Sequence, residues 1–243
     1  METPQPPDSW PIPQKILVLL AHPDDPEFFC GATLARWARL GHEIHYILLT
    51  CGDKGGDLNT TPSDLCTSRQ TEQENAARVL GVRSVRFLNL EDGYLVPSLE
   101  LRREMVRIIR REKPDILVTC DPTNLYPSSG YGLNHPDHRA AGQVVLDAVF
   151  PAAGNPHFFP ELLHEGFEPH TPREVWVSLT AQPNVTLDVT DTWEIKLQAL
   201  KEHKSQIGDP AEFEKRMRAR HTEDSTEEAP RYEERFHVIK FHA

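Results

Sequence analysis

Two short clusters of histidine and aspartate hold the side chains with which this chain could do chemistry. The first is His-Pro-Asp-Asp at residues 22–25, and the second is His-Pro-Asp-His at residues 135–138. Imidazole and carboxylate groups are ligands that zinc accepts, and three protein ligands leave one position open for water. We therefore expect His22, Asp25 and His138 to bind one catalytic zinc ion.

The aspartate pair in the first cluster suggests a division of roles. A bound zinc lowers the pKa of its water towards about 7, and a neighbouring carboxylate can then accept the proton. In a turn, Asp25 could face the metal while Asp24 faces the water. Metal ligands, a metal-bound water and a carboxylate base are together the groups that a metal-dependent hydrolase uses. Taken singly, either cluster could instead cap a helix, because Asp and Pro are also common turn residues.

The elements around the clusters alternate between strand and helix. Short apolar runs predict strands, and longer periodic segments that end at Gly or Pro predict helices. The predicted strands cover residues 15–21, 43–50, 84–90 and 116–120, and the predicted helices cover residues 31–40, 68–80, 99–112 and 136–149. This alternation indicates an α/β fold that is Rossmann-like, with a mainly parallel sheet and helices on both faces.

The positions of the two clusters in this fold connect them. The first cluster follows strand 1, and the second ends the long loop after strand 4. In the common strand order 3-2-1-4, strands 1 and 4 are neighbours on either side of the switch point, where ligands bind. We therefore expect the fold to bring both clusters to one crevice.

The remaining segments are predicted to complete a single domain over residues 1–243. Residues 1–14 form an extended lead-in, residues 15–150 form the core, and residues 151–243 form a loop insertion and a C-terminal extension. Long loops are often functional, so the insertion at 151–173 is expected to border the crevice and influence substrate choice. The extension is predicted to hold strands at 175–179 and 185–189, a helix at 192–205, an exposed charged segment at 208–231 and an edge strand at 235–242.

Composition limits the partners and the location that the chain could have. The formal net charge of −11 argues against nucleic acid and anionic membrane as partners. The longest purely apolar run, at residues 16–21, is too short to span a membrane, and the N-terminus does not have the pattern of a signal peptide. The four cysteines form no Cys-x-x-Cys pair, which favours a reduced, cytoplasmic location. A homo-oligomer is compatible with these features.

Motifs at four places resemble the PIG-L or LmbE-like zinc-dependent N-deacetylases. They are AHPDD at residues 21–25, CG at 30–31, TCGD at 50–53 and HPDHR at 135–139, and the resemblance runs through the first 150 residues. That family has a Rossmann-like fold and uses zinc to hydrolyse N-acetyl groups, usually on glucosamine-type sugars. One departure is Pro26, where many members have Glu directly after the Asp pair; here Glu27 follows.

The resemblance also implies roles for individual residues of the two clusters. Asp24 would be the general base, and His135 would stabilise the oxyanion or protonate the leaving amine. Asp137 could orient His135, as a carboxylate does for other catalytic imidazoles. The implied zinc ligands are again His22, Asp25 and His138.

Three further residues match positions that bind substrate in the family. Arg69 and Asp92 correspond to groups near the sugar hydroxyls, although Arg69 could instead pair with Glu72 and Asp92 could be an ordinary turn residue. Tyr131 corresponds to a substrate-binding tyrosine but lies two residues further from the second cluster.

The expected function is therefore the metal-dependent removal of an N-acetyl group from a small amino-sugar substrate. The expected cofactor is Zn²⁺, and Fe²⁺ or another divalent metal would also suit the ligands. A metal-dependent esterase or phosphoesterase could use the same water, and a non-catalytic metal-binding member could keep the fold. Phosphoryl transfer usually needs cationic clamps or a second metal, and the crevice offers one arginine, Arg69, which favours the amide.

Overall fold

A computed structural model describes residues 10–127 and 132–241 of the chain. In this part of the chain seven strands form one mixed sheet in the order β3-β2-β1-β4-β5-β7-β6. The five strands from β3 to β5 run parallel to one another, and β7 pairs antiparallel with both β5 and β6. The strands are β1 (Lys15–Leu20), β2 (Glu43–Thr50), β3 (Ser84–Leu90), β4 (Ile116–Cys120), β5 (Glu174–Ser178), β6 (Val185–Asp188) and β7 (Glu233–Lys240).

Helices cover both faces of this sheet. They are α1 (Asp25–Arg39), α2 (Pro62–Leu80), α3 (Leu99–Glu112), α4 (Pro136–Asp147), α5 (Glu161–His164), α6 (Trp193–Leu200), α7 (Lys204–Ile207) and α8 (Pro210–Arg218). A π-helical stretch, Ala148–Ala153, continues from the end of α4. None of the helices among the described residues is long and apolar enough to cross a membrane.

The apolar run of β1 is continuous because both faces of the strand are covered. Leu17 and Leu19 pack on one side with α3 and α4, whereas Val18 and Leu20 pack on the other side with α1. All four side chains are fully buried. The predicted α/β class, the parallel core and the strand order 3-2-1-4 are thus confirmed.

Several predicted boundaries in the C-terminal extension are wrong. The strand predicted at 235–242 is not at the edge, because β7 lies between β5 and β6. The charged segment at 208–231 contains α8, whose Phe213 and Met217 are buried against α6. The helix predicted at 192–205 ends at Leu200 and is followed by the separate short helix α7.

The insertion at 151–173 lies away from the crevice, contrary to prediction. Helix α4 starts at the crevice and carries the chain to the opposite end of the sheet. There the Nε2 atom of His170 lies 2.7 Å from the carbonyl oxygen of Pro114, just before β4 begins. The buried guanidinium of Arg110 on α3 donates to carbonyl groups at Ala152, Ala153, Asn155 and Phe158. The insertion is therefore fixed beside α3, where it cannot line the site.

A disulfide joins Cys51, after β2, to Cys66 on α2. The sequence analysis did not predict this pair. Disulfides persist mainly in oxidising compartments and are rare in most cytosolic proteins. The bond therefore opposes the expectation of a reduced, cytoplasmic location. It also ties the loop that follows β2 to the helix beside it.

Helix α1 is kinked near its start, and a distant strand satisfies the backbone groups exposed by the kink. Cys30 has a non-helical backbone (φ −150°, ψ 21°). The N–H groups of Ala32 and Thr33 donate to the carboxylate of Glu234 on β7, at 3.1 and 2.8 Å. Lys196 on α6 lies 2.7 Å from the same carboxylate, and both side chains are 3% exposed. A buried ion pair therefore links α1, α6 and β7.

We expect Lys196→Met to destabilise the fold strongly. Removing one partner of a buried ion pair leaves an uncompensated charge and typically costs about 3–5 kcal/mol. Urea denaturation should show this loss in the free energy of unfolding. The control is Lys201→Met, which breaks a more exposed pair with Glu214 and should cost less than about 1 kcal/mol. Equal effects of the two variants would contradict the role of the buried pair.

Candidate active site

The two His/Asp clusters meet beyond the carboxyl ends of β1 and β4. The ring of His22 lies 4.7 Å from that of His135 and 5.1 Å from that of His138, measured between centroids. Close packing of α4 on β4 makes this approach possible. A Cβ on Gly142 would lie 2.2 Å from the carbonyl oxygen of Cys120, so only glycine allows α4 to sit there. The predicted juxtaposition of the clusters is therefore present.

The carboxylate of Asp25 lies between two imidazoles. Its Oδ2 is 3.5 Å from Nδ1 of His22 and accepts a hydrogen bond of 2.8 Å from the His22 backbone N–H. Its Oδ1 is 3.0 Å from Nε2 of His138. Burial alone would raise the pKa of Asp25, but the adjacent His138 and His22 more than offset this and hold that pKa well below its usual range. Asp25 is therefore ionised at neutral pH.

In both His22 and His138, the ring nitrogen that does not face Asp25 lies close to another polar side chain. Nε2 of His22 lies 3.1 Å from Asp92 and 3.3 Å from Asp137. Nδ1 of His138 lies 2.9 Å from the side-chain oxygen of Asn134. Burial would lower the pKa of His22, but hydrogen bonds to Asp137, Asp25 and Asp92 raise it well above its usual value. Outer partners of this kind orient metal-binding histidines in proteins.

Asp137 contacts a different histidine from the one expected. Its carboxylate accepts the backbone N–H groups of Gly93 and Leu95, at 2.7 and 3.1 Å, as well as facing His22. Only its backbone N–H reaches His135, donating to Nδ1 at 3.2 Å. The expectation that the Asp137 carboxylate orients His135 is therefore wrong. Asp137 lies in the first turn of α4, and its side chain points to the loop that follows β3.

Asp24 occupies a tight turn between β1 and α1. Its backbone is left-handed, with φ 88° and ψ −26°, which is uncommon for a residue other than glycine. Its carboxylate is 15% exposed and lies 3.1 Å from the guanidinium of Arg69. Burial raises the pKa of Asp24 to about 6, against the lowering influence of Arg69 and His203. A carboxyl group with a pKa raised in this way is suited to exchange protons near neutral pH.

The donor atoms of the site fit a divalent metal. His22, His135 and His138 offer nitrogens that lie within 4.8 Å of one another, and His22, Asp92 and Asp137 form a second such group. Asp25 adds a carboxylate between His22 and His138. Nitrogen and carboxylate donors are the set that zinc and related divalent ions prefer.

Arg69 and Asp92 lie beside the clusters, but both NH groups at the end of the Arg69 guanidinium and the Asp92 carboxylate already have protein partners. Arg69 donates to the carbonyl oxygens of Gly52 and Pro23, at 2.9 and 2.7 Å, as well as to Asp24. A Cβ on Gly52 would lie 2.3 Å from the Arg69 guanidinium, which accounts for the glycine in the TCGD motif. The carboxylate of Asp92 accepts the backbone N–H of Lys54 at 3.0 Å. The predicted Tyr131 lies outside the described residues.

Sequence reasoning missed a set of buried polar residues behind the turn. Three of them are fully buried: Glu27, Gln73 and His203. Gln73 follows Arg69 by four positions, so the two share one face of α2. That spacing could have indicated from the sequence that Gln73 lies near the site. No sequence feature indicated His203, because the residues that it contacts come from remote parts of the chain.

The chain is similar to several known deacetylases. The family described as PIG-L, GlcNAc-PI de-N-acetylase, matches residues 17–149, which is more than half of the chain. The chain is 35% identical over 195 residues to the diacetylchitobiose deacetylase of Thermococcus kodakarensis, covering 80% of this chain and 70% of that protein. It is 26% identical to a probable N-acetyl-α-D-glucosaminyl L-malate deacetylase of Bacillus anthracis, covering 79% and 81%.

A solved structure extends the likeness to the whole fold. The N,N'-diacetylchitobiose deacetylase of Pyrococcus horikoshii superposes with a TM-score of 0.83 at 31% identity, covering 93% of this chain and 84% of that one. A hydratase from Pseudomonas, at 20% identity and a TM-score of 0.72, shares the fold alone. These matches confirm the resemblance that the sequence motifs indicated: the chain belongs to the PIG-L family of deacetylases.

Proposed function

We propose that this protein is a metal-dependent hydrolase that removes the N-acetyl group from a small amino sugar of the N-acetylglucosamine type. The observation that carries the proposal is the placement of Asp24. Its largely buried carboxylate, with a pKa of about 6, adjoins the cluster formed by His22, Asp25 and His138. A proton acceptor beside a metal-binding cluster is the minimum that water-driven amide hydrolysis needs.

The substrate class in this proposal comes from the relatives. Deacetylases of diacetylchitobiose and of N-acetylglucosaminyl conjugates of malate and myo-inositol are all similar to this chain. Their named substrates share an N-acetylated glucosamine unit and differ in the group attached to it. We therefore assign the N-acetylglucosamine unit as the common feature, and leave the attached group to experiment.

We assign the metal to His22, Asp25 and His138, with Zn²⁺ as the first choice and Fe²⁺ or another divalent ion as alternatives. When bound, such an ion supplies an acidified water and a positive charge near the acyl oxygen. The chain itself holds the ligands in place, through Asp137 and Asp92 on His22 and through Asn134 on His138.

Asp24 and His135 carry the remaining proposed steps. Asp24 accepts a proton from the attacking water and returns it to the leaving nitrogen. Burial and the neighbouring His22 and His138 lower the pKa of His135, so its imidazole is mainly neutral. Nδ1 of His135 accepts the N–H of Asp137, so the proton resides on Nε2. His135 is exposed at the crevice and can donate that hydrogen bond to the developing oxyanion.

The alternatives find less support in the site. A phosphoester would need cationic clamps, and the guanidinium of Arg69 is engaged by Asp24, Gly52 and Pro23. A non-catalytic protein would not need a largely buried Asp24 whose pKa lies close to neutral pH. A cytoplasmic location and a homo-oligomer remain predictions, and the Cys51–Cys66 disulfide opposes the first of them.

The direct test is a screen of N-acetylated sugars for release of a primary amine. We expect turnover of at least one N-acetylglucosamine-type compound, loss of turnover with a chelator, and recovery when Zn²⁺ or Fe²⁺ is added back. Acetate esters and phosphomonoesters of the same sugars serve as controls. Faster hydrolysis of either control class than of any amide would contradict the proposal.

We expect Asp24→Asn to lower turnover by on the order of 100- to 10,000-fold, because asparagine is nearly isosteric but cannot accept the proton. Metal content and fold should be unchanged. The matched control is Asp57→Asn, an exposed aspartate whose partners are Asn59 and Thr60. Wild-type turnover by Asp24→Asn would exclude the base role. Loss of metal would instead mean that Asp24 and Asp25 have exchanged roles.

The ligand assignment predicts that Asp25→Ala and His138→Ala each lose bound metal. Elemental analysis of the purified variants measures this directly, without any substrate. His45→Ala is the control, since His45 lies on β2 and contacts Ser84 outside the site. If both variants retain one metal per chain, the assignment is wrong.

A further inference from the structure

The backbone and the side chain of Asp24 are both held by α2. Arg69 contacts its carboxylate at 3.1 Å, and the side-chain oxygen of Gln73, one helical turn later, accepts its backbone N–H at 2.8 Å. Gln73 is fully buried. The two contacts therefore hold both the backbone and the side chain of Asp24 in place relative to α2.

These contacts matter because the Asp24 backbone is strained. The left-handed conformation is unfavourable for a residue with a side chain, and such residues persist only where their surroundings over-determine them. Asp24 has φ 88°, and Pro23 and the α1 residue Asp25 flank it directly. The hydrogen bond from the Asp24 N–H to Gln73 stabilises the left-handed turn against relaxation.

The side-chain amide of Gln73 is also held by a second residue, Glu27. Its oxygen bonds to Asp24 and its NH2 group bonds to Glu27. Its Nε2 donates to both carboxylate oxygens of Glu27, at 3.0 Å each. One end of the side chain must accept from Asp24, and the other must donate to Glu27. Leucine at position 73 would satisfy neither, and glutamate would oppose the Glu27 carboxylate with a like charge.

The network extends to the C-terminal part of the chain. Nε2 of His203, in the connection between α6 and α7, lies 3.1 Å from Oε2 of Glu27. Both side chains are fully buried. A continuous line of hydrogen bonds thus runs from His203 through Glu27 and Gln73 to the Asp24 backbone.

We propose that Gln73 and Glu27, supported by His203, are positioning residues that hold Asp24 in the conformation from which it accepts the proton. This inference rests on the function proposed above for Asp24. The network touches the Asp24 backbone and lies behind the turn, so it should act on the catalytic step and leave substrate binding and metal content unchanged.

The test is a donor–acceptor swap. Gln73→Glu keeps an acceptor for Asp24 but sets two carboxylates against each other, and Glu27→Gln replaces one of the two oxygens that accept from Gln73 with an NH2 group that opposes the Gln73 NH2 group. In the double variant, the carboxylate at position 73 would still accept from Asp24, and the new amide at position 27 would donate to that carboxylate, with the net charge restored. The controls are Gln70→Leu, a half-buried glutamine on the same helix, and Thr192→Val, which removes a buried hydrogen bond from the Thr192 hydroxyl to the carbonyl oxygen of Ala32 on α1.

We expect kcat to fall about 10- to 100-fold in each single variant and in Gln73→Leu, since a misplacement of about 1 Å can cost 100-fold. KM and metal content should stay at the wild-type values. The double variant should recover to within about 5-fold of wild type, by the same geometric reasoning. Neither control should change kcat more than about 2-fold, because surface and remote contacts leave the geometry intact.

In the kinetic and metal measurements, three results would overturn the inference: wild-type kcat in folded Gln73→Leu, loss of metal in the single variants, or no recovery in the double variant. A crystal structure of Gln73→Leu gives a readout that needs no substrate, since φ of Asp24 should leave the left-handed region. If the wild-type protein has no deacetylase activity but φ changes in this variant, the proposed function fails and the structural role stands. If φ is unchanged, the positioning role itself is wrong.

Discussion

The structure depends on one electrostatic constraint: four carboxylates, from Asp24, Asp25, Asp92 and Asp137, must share one largely buried crevice. Burying an ionised carboxylate is costly unless hydrogen-bond donors or opposite charges surround it. Each of the four has its own donors, which are the Arg69 guanidinium, the imidazoles of His22 and His138, and backbone N–H groups at residues 54, 93 and 95. A bound divalent cation would relieve the same repulsion.

The fold supplies these donors from separate elements. β1 and β4 bring the two clusters together, α2 contributes Arg69 and Gln73, and the loop after β3 contributes the N–H groups that receive Asp137. Among these groups, Asp24 has its pKa raised, whereas that of Asp25, its neighbour in sequence, is lowered. Opposite shifts in two adjacent carboxyl groups are what the roles proposed for them, Asp25 as metal ligand and Asp24 as proton acceptor, require. The two pKa values are thus set by local surroundings rather than by residue type.

The parallel core and the meeting of the clusters could be predicted from the sequence, because both follow from local periodicity and from a general rule of α/β topology. Contacts that depend on remote chain segments could not. The start of α1 was missed because the Asp-Pro run at its beginning reads as a turn. β7 was predicted at the edge because the alternation of polar and apolar residues in a strand does not show which other strands pair with it. Analogy with other catalytic imidazoles predicted that the Asp137 carboxylate contacts His135, but the carboxylate faces His22 and the N–H groups of Gly93 and Leu95 instead.

The last strand of the sheet has a consequence for how the protein is made. Glu234 on β7 completes the kinked start of α1, yet it lies 201 residues after Thr33 in the chain. At translation rates of about 5–20 residues per second, a ribosome takes about 10–40 s to cover that distance. During this interval the freed N–H groups of α1, the helix that begins beside Asp24, lack the acceptor that Glu234 provides and are left to water. The kinked start of α1 can therefore reach its final geometry only after β7 has been synthesised.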